Sequence, residues 1–408
     1  MLQTAMTLLS PLSSMLIAIR YYRNPISHIF LVIFAFYFGS KMWLGNDATD
    51  HYVEMRLFYC GLPFTDIINN PMVFLHSAEP YTFLLKYIIS RFTSSYTIFG
   101  GTICAIYMIL QIHFLTAFKQ YFTKGLSFFA GLALLVVFTV VQFSWYQGIR
   151  FWPGVFWFMG FFVRYALTKK WYHLVLACLC PLIHFSLSVL PLTVLANYFL
   201  MKCRMKVQVT IFLLSFLIRL TQIDFLPYLL QHIPIIDAFY NTLGVSVVDR
   251  NDAITIMENL RADSNLVYSI RSEVIGIGLL MVLLGLRLKN IVFGPNFIYF
   301  MSLALTMATI ANFEYIDITF YDRFFKVAVL LLAIAVFIAV AENKDLLNGR
   351  SIELITLIAI IFAFELVSQF VALRNAYLNP ELWFGNFFTD WHGGLDENRM
   401  QMWGDLFR

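Results

Sequence analysis

Val327-Ala328-Val329-Leu330-Leu331-Leu332-Ala333-Ile334-Ala335-Val336-Phe337-Ile338-Ala339-Val340-Ala341 runs between Lys326 and Glu342 without one polar side chain. With Phe324 and Phe325 ahead of it, the stretch 324–341 makes a helix of about 27 Å at 1.5 Å per residue, close to the thickness of a bilayer's hydrocarbon core. In lipid every backbone polar group must be satisfied within its own segment or in a closed barrel. Apolar runs of about 15–25 residues recur along the 408-residue chain, in which 60% of residues are hydrophobic and 13% charged. The ten-residue alternation of a β-barrel is absent. The sequence therefore predicts an all-α fold: a polytopic transmembrane helix bundle of about 10–12 membrane helices.

Short loops dense in Lys and Arg face the cytoplasm. Arg20/Arg23, Lys119/Lys124, Lys169/Lys170, Lys202/Arg204/Lys206, Arg287/Lys289 and Lys344/Arg350 are such loops, and one orientation satisfies all of them. It places helices at 2–19, 26–42, 94–118, 125–141, 154–168, 207–220, 272–288, 291–311, 324–341 and 351–373, with the N-terminus outside. The first of these has neither a basic n-region nor a small-x-small cleavage site, so it reads as a retained helix. The run 81–90 is too short to cross and is expected to lie in the outer interface. The stretch 171–201 must begin and end inside, which asks for a hairpin broken near Pro181 and Pro191 and peaking around His184.

The whole chain, 1–408, reads as a single integral membrane domain with outer loops at 43–93 and 221–271 and an outer tail at 374–408. In this orientation nearly all the acids fall on the outer side, and these segments are rich in Trp, Tyr and Phe as well as charge, a composition that suits lids or sugar platforms and equally an interfacial aromatic belt. Of five cysteines, Cys104, Cys178 and Cys180 fall in apolar segments and Cys60 and Cys203 on opposite sides, so neither a disulfide framework nor a metal site is expected. Walker, Rossmann, His-Glu-x-x-His and Gly-x-Ser-x-Gly signatures are missing, which speaks against nucleotide-driven chemistry. No cofactor and no nucleic-acid partner is expected.

Arg150 stands in Gln147-Gly148-Ile149-Arg150-Phe151-Trp152-Pro153 at the mouth of two apolar stretches, with no acid near it in sequence. It is read either as a guanidinium waiting for an anionic ligand or as an arginine snorkelling to headgroups. Arg323, in Phe320-Tyr321-Asp322-Arg323-Phe324-Phe325-Lys326, stands at another outer mouth, and with Lys326 the two arginines could clamp a diphosphate; a local ion pair is the alternative for Arg323. His184, in Pro181-Leu182-Ile183-His184-Phe185-Ser186, is ionisable in an apolar stretch and could take a proton from a hydroxyl, or be a histidine satisfied by a neighbouring helix. Glu365, Gln369 and Glu273 raise the same question. Asp47, Asp50 and Glu79 are candidate bases for a sugar hydroxyl, with helix capping as the competing role; Glu79 before Pro80 looks like a helix start. Gln147, Tyr52 and Tyr321 are candidate substrate contacts beside them.

Taken in order, an acidic-tyrosine segment after the second helix (Asp47 or Asp50 with Tyr52), Glu79-Pro80, Gly148-Ile149-Arg150, His184-Phe185-Ser186 beyond Lys169-Lys170, and Arg323-Phe324 resemble the EpsG-type branch of the Wzy polysaccharide polymerases. The resemblance runs from about residue 40 to 330 and lies in the order and spacing of short motifs. Asp47 and Tyr52 are one residue further apart than the family's acid and tyrosine, which leaves open which aspartate corresponds.

The resemblance implies a bacterial inner-membrane glycosyltransferase that joins undecaprenyl-diphosphate-linked oligosaccharide repeat units at the periplasmic face, beside a flippase and a chain-length regulator. Arg150 and Arg323 would stabilise the departing diphosphate without a metal, and an acid among Asp47, Asp50 and Glu79, or else His184, would deprotonate the attacking hydroxyl. Three rivals are a ligase using the same lipid-linked donor, a flippase of lipid-linked oligosaccharide, and a membrane acyltransferase. Transporters place charges and broken helices at the midplane in repeated halves, and no repeat is visible in this chain.

Overall fold

The computed structural model describes residues 10–41, 45–69, 79–123, 125–140, 149–220, 271–313, 318–343 and 352–372. Among these residues every regular element is a helix. In chain order they are α1 (Pro11–Arg20), α2 (Pro25–Lys41), α3 (Gly45–Phe58), α4 (Phe64–Asn69), α5 (Pro80–Phe92), α6 (Tyr96–Thr116), α7 (Lys119–Thr123), α8 (Phe128–Thr139), α9 (Phe151–Thr168), α10 (Trp171–Ala177), α11 (Val189–Leu200), α12 (Met205–Leu220), α13 (Arg271–Leu288), α14 (Pro295–Phe313), α15 (Ile318–Glu342) and α16 (Ile352–Ala372), with 3-10 turns at Cys180–Leu182 and Phe185–Ser188. Three helical stretches among the described residues, Tyr96–Thr116, Pro295–Phe313 and Phe320–Glu342, are long and apolar enough to cross a membrane, which fits a helical membrane protein.

Most helix ends fall within a few residues of the sequence reading, and the exceptions have local causes. Segment 43–93, read as a loop apart from the short interfacial helix expected after Glu79-Pro80, contains α3 and α4 as well as α5. Buried Ala48, Tyr52 and Met55 share one face of α3 at helical spacing and, with buried Tyr59 just past its end, hold it against the protein despite its polar composition. The helix expected from 324 begins at Ile318, so Tyr321, Asp322, Arg323 and Lys326 are helical residues and not a helix mouth. Between α10 and α11 the chain breaks into the two 3-10 turns around Pro181, with His184 extended between them at φ −153° and ψ 124°. Pro191 is tolerated in the first turn of α11, where backbone N–H groups have no intrahelical partner.

The described residues divide into two compact units, one of residues 10–120 and 149–190, the other of residues 121–140 and 191–372. In the first, α2 packs on α6 through small residues: a methyl on Gly39 would meet Cys104 Sγ at 2.6 Å, and one on Gly101 the Phe36 carbonyl at 2.9 Å. Helix α9 packs on α6 as well. Its Arg164 donates to the His113 carbonyl at 2.9 Å and to Thr116 Oγ1 at 2.7 Å, placing a cation on the last turn of α6. Gly160 gives His113 the room it needs, since a methyl there would lie 2.7 Å from His113 Nε2. With one end of α9 fixed in this way, Arg150 is held at the other.

The second unit is built around α15, whose residues 327–340 are all buried. Polar side chains tie its other helices together. Asn197 Oδ1 accepts from Ser302 Oγ at 2.6 Å and Thr306 Oγ1 at 3.2 Å, and Asn312 Nδ2 donates to Ser215 Oγ at 3.1 Å. Arg271 on α13 is buried and donates through Nε to Glu365 of α16 at 2.6 Å. Gly278 lies where a methyl would meet Ile361 of α16 at 2.9 Å, so α13 and α16 also pack closely.

Candidate active site

The first unit gathers three residues that are far apart in sequence. Glu79, the extended residue before Pro80 as a proline requires, caps α5 by its backbone: its carbonyl accepts from Phe83 N at 3.1 Å and Thr82 Oγ1 at 3.1 Å. Its side chain makes no capping bond and turns the other way. Arg150 is the residue before the first turn of α9, and His184 is the extended residue between the 3-10 turns.

All three meet at the Glu79 carboxylate. Arg150 Nη1 donates to Oε2 at 3.3 Å, His184 Nδ1 bonds to Oε1, and the Phe185 backbone N–H donates to the same Oε1 at 3.3 Å. Gly154 makes the meeting possible. A methyl on Gly154 would collide with Leu187, so its bare backbone lets the segment 183–187 lie on the first turns of α9. The ring of Phe151 presents its edge to the His184 imidazole at 6.1 Å between centroids, fixing the ring plane.

Burial of the Glu79 carboxyl would raise its pKa, but the His184 hydrogen bond, the charges of His184 and Arg150 and the Phe185 N–H outweigh burial and hold it below the ordinary value. An ionised carboxylate only accepts hydrogen bonds, so the Nδ1 of His184 that faces it carries a proton. Glu79 and His184 keep 10% and 13% of their side-chain surface and Arg150 32%, so the arginine is the member open to a ligand. The fold thus supplies the acid that the sequence neighbours of Arg150 lack. Chemically the cluster is an imidazole oriented by a carboxylate beside a guanidinium, able to take a proton from a hydroxyl and to meet negative charge.

A second set of charges lies on the adjoining face of α5. Lys86 is fully buried, with Nζ 2.7 Å from Glu54 Oε1 of α3 and 5.2 Å from the centroid of the Tyr59 ring. His51 Nδ1 lies 3.4 Å from the other Glu54 oxygen. Burial pushes Glu54 upward, but its bonds with His51 and Lys86 hold it below the ordinary carboxylate value. Arg91 fastens α5 to the end of α3 by donating to the carbonyls of Tyr59 and Leu62. Sequence reasoning missed Glu54, Lys86 and His51. Their signal was a lysine among apolar residues in Pro80–Phe92, where a solvated charge has no place.

Asp50 is exposed on α3. The side chain of Asp47, and Gln147 altogether, lie outside the described residues, as do 221–270 and the tail from 373. Tyr52, expected to touch substrate, is buried with its hydroxyl donating to the Ser94 carbonyl at 2.9 Å and its ring against Tyr96 and Phe99. In the second unit Tyr321 accepts from Arg219 and donates to Glu273 Oε1 at 3.0 Å. Lys326 is buried with Nζ 2.5 Å from Asp322, and Asp322, at 47% exposure against 5%, is the member of that pair at the surface. Arg323, one residue on, is partly exposed. Comparison with family models, with curated proteins and with solved structures returns no match.

Proposed function

We propose that the chain is a polysaccharide polymerase of the Wzy type, a bacterial inner-membrane bundle of about 10–12 helices that moves a growing glycan from undecaprenyl diphosphate to the non-reducing end of a lipid-linked repeat unit. The observation that carries this reading is the meeting of Glu79, Arg150 and His184. Each comes from a separate motif of the resemblance, Glu-Pro, Gly-Ile-Arg and His-Phe-Ser, and nothing in their sequence positions requires that they touch. The active site faces the periplasm, where no nucleotide donor is present and the sugar arrives already activated as its lipid diphosphate.

In the proposed reaction Nε2 of His184 takes the proton from the acceptor hydroxyl as its oxygen attacks the anomeric carbon. The bond from that carbon to the diphosphate oxygen breaks and its electron pair leaves with the lipid diphosphate. Arg150 meets the charge that develops there. Glu79 holds the imidazole in the required tautomer and stabilises the imidazolium that forms. Purified protein supplied with its undecaprenyl-diphosphate repeat unit is expected to yield a ladder of lipid-linked products. A single product that appears only when a different acceptor is added would make it a ligase, and unaltered repeat unit moved between leaflets would make it a transporter.

A further inference from the structure

Three carboxamides are buried among the described residues: Asn197 on α11, Gln208 on α12 and Asn312 on α14. Each is bonded on one side and has no partner among the described residues on the other. Asn197 Oδ1 takes both Ser302 Oγ at 2.6 Å and Thr306 Oγ1 at 3.2 Å, which leaves its Nδ2 unpaired. Gln208 Nε2 donates to the Leu200 carbonyl at 2.9 Å, and its Oε1 is unpaired. Asn312 Nδ2 donates to Ser215 Oγ at 3.1 Å, and its Oδ1 is unpaired. Turning an amide over exchanges its oxygen and nitrogen and still leaves one side without a partner.

Helical spacing puts these groups in line. Ser302, Thr306, Thr309 and Asn312 are all buried and follow one another at steps of a helical turn, over about 15 Å of α14. α11 meets α14 with Thr193 and Asn197, one turn apart, and Thr193 Oγ1 lies 3.9 Å from Met307 Sδ. α12 carries Gln208 and Ser215 two turns apart on one face. The seam therefore runs along α14, a helix long and apolar enough to cross a membrane.

Polar side chains that only clasp neighbouring helices pair off with one another. A buried group left unpaired carries its full desolvation cost, and native interiors keep few of them. The unpaired atoms here are one donor, Asn197 Nδ2, and two acceptors, Gln208 Oε1 and Asn312 Oδ1. Water satisfies both kinds, makes about three hydrogen bonds when buried, and is small enough for positions closed to the surface. We infer that the seam of α11, α12 and α14 is a water-binding site, with ordered molecules seated on Asn197 and Asn312, and is thus a hydrated joint inside the membrane-spanning bundle.

The test is water-edited solid-state NMR of the full-length chain in lipid nanodiscs, with asparagine and leucine labelled with 15N. It reads how fast each amide takes up magnetisation from water. Exposed Asn24 sets the fast limit, and the backbone amide of buried Leu330 the slow one. Asn197→Leu and Asn312→Leu assign the two side-chain signals by deletion. Where either variant fails to fold, Ser302→Ala and Ser215→Ala assign them by shift, since each removes a hydroxyl bonded to the amide. Both side chains are expected to fill severalfold faster than Leu330 and to approach Asn24. Uptake as slow as that of Leu330 at both would show dry, half-paired amides and overturn the inference. Fast uptake at Asn312 with slow uptake at Asn197 would overturn it as well, because Asn312 stands in the last turn of α14 and can be wetted from the membrane surface without a hydrated seam.

Discussion

Arg150 is where the energetic demand of the proposed chemistry falls on one side chain. A preorganised donor that meets charge developing in the transition state is worth about a hundredfold to a thousandfold in rate, so Arg150→Ala is expected to lower the initial rate of ladder formation by that factor without loss of folded protein. Arg150→Lys should recover little, because a point charge does not reproduce a planar fork on phosphate oxygens. Glu79 makes a separate prediction for stability. Its carboxyl, like that of Glu54, is held below the ordinary value of 4.5 in the folded protein. A depressed carboxyl contributes stability that is fully present above its unfolded pKa and is lost as pH falls through its folded one. Thermal unfolding in detergent should therefore be steady above about pH 5 and decline below it, and Glu79→Gln should narrow its gap from wild type over the same acid range. A gap that widens on acidification would mean that the carboxyl is not held ionised. At this scale the sequence made Arg150, His184 and Glu79 conspicuous one by one, as ionisable groups bordering apolar runs. That they are partners was not legible, because 71 residues separate Glu79 from Arg150 and 105 separate it from His184.

Close approach of helix backbones is what delivers those side chains, and glycine is what permits it. Gly154 admits the segment around His184 to α9, while Gly39 and Gly101 let α2 and α6 meet. Gly154→Leu is expected to push His184 off Glu79 and cost activity more than stability. Gly101→Leu, which would drive a side chain into the Phe36 backbone, should cost about 1–3 kcal/mol by overpacking and lower the unfolding temperature with little effect on the rate per folded molecule. Similar rate losses in the two variants would detach Gly154 from the site. The long apolar helices were readable because nothing competes with an uninterrupted hydrophobic run. Helix α3 was hidden for the opposite reason. Gly45, Asn46, Asp47 and Asp50 read as the start of an outer loop, and the buried stripe from Ala48 to Tyr59 is thin enough to pass for part of it. The start of α15 was misplaced because Asp322, Arg323 and Lys326 resemble the polar end of a span, whereas an ion pair between Lys326 and Asp322 one turn apart lets the helix carry them.

For the molecule as a whole, composition made the all-helical fold legible, and pairing between distant charges decides what composition cannot. Arg271 and Glu365 show the difference: each was visible as a charge in or beside an apolar run, and only the fold makes them one buried pair. Breaking it by Arg271→Met leaves a buried carboxylate and should destabilise by about 3–5 kcal/mol, whereas Arg271→Met with Glu365→Leu should unfold close to wild type, as read by thermal melting in detergent. The same logic governs the site. If Glu79 and His184 work as one unit, removing either disables it and removing both adds little, as is found when residues act together in catalysis. The decisive measurement is the initial rate of ladder formation by wild type, Glu79→Gln, His184→Ala and the double variant. The account predicts that the double variant is no slower than the slower single one; losses that multiply would contradict it and leave two independent residues where a joined pair is proposed.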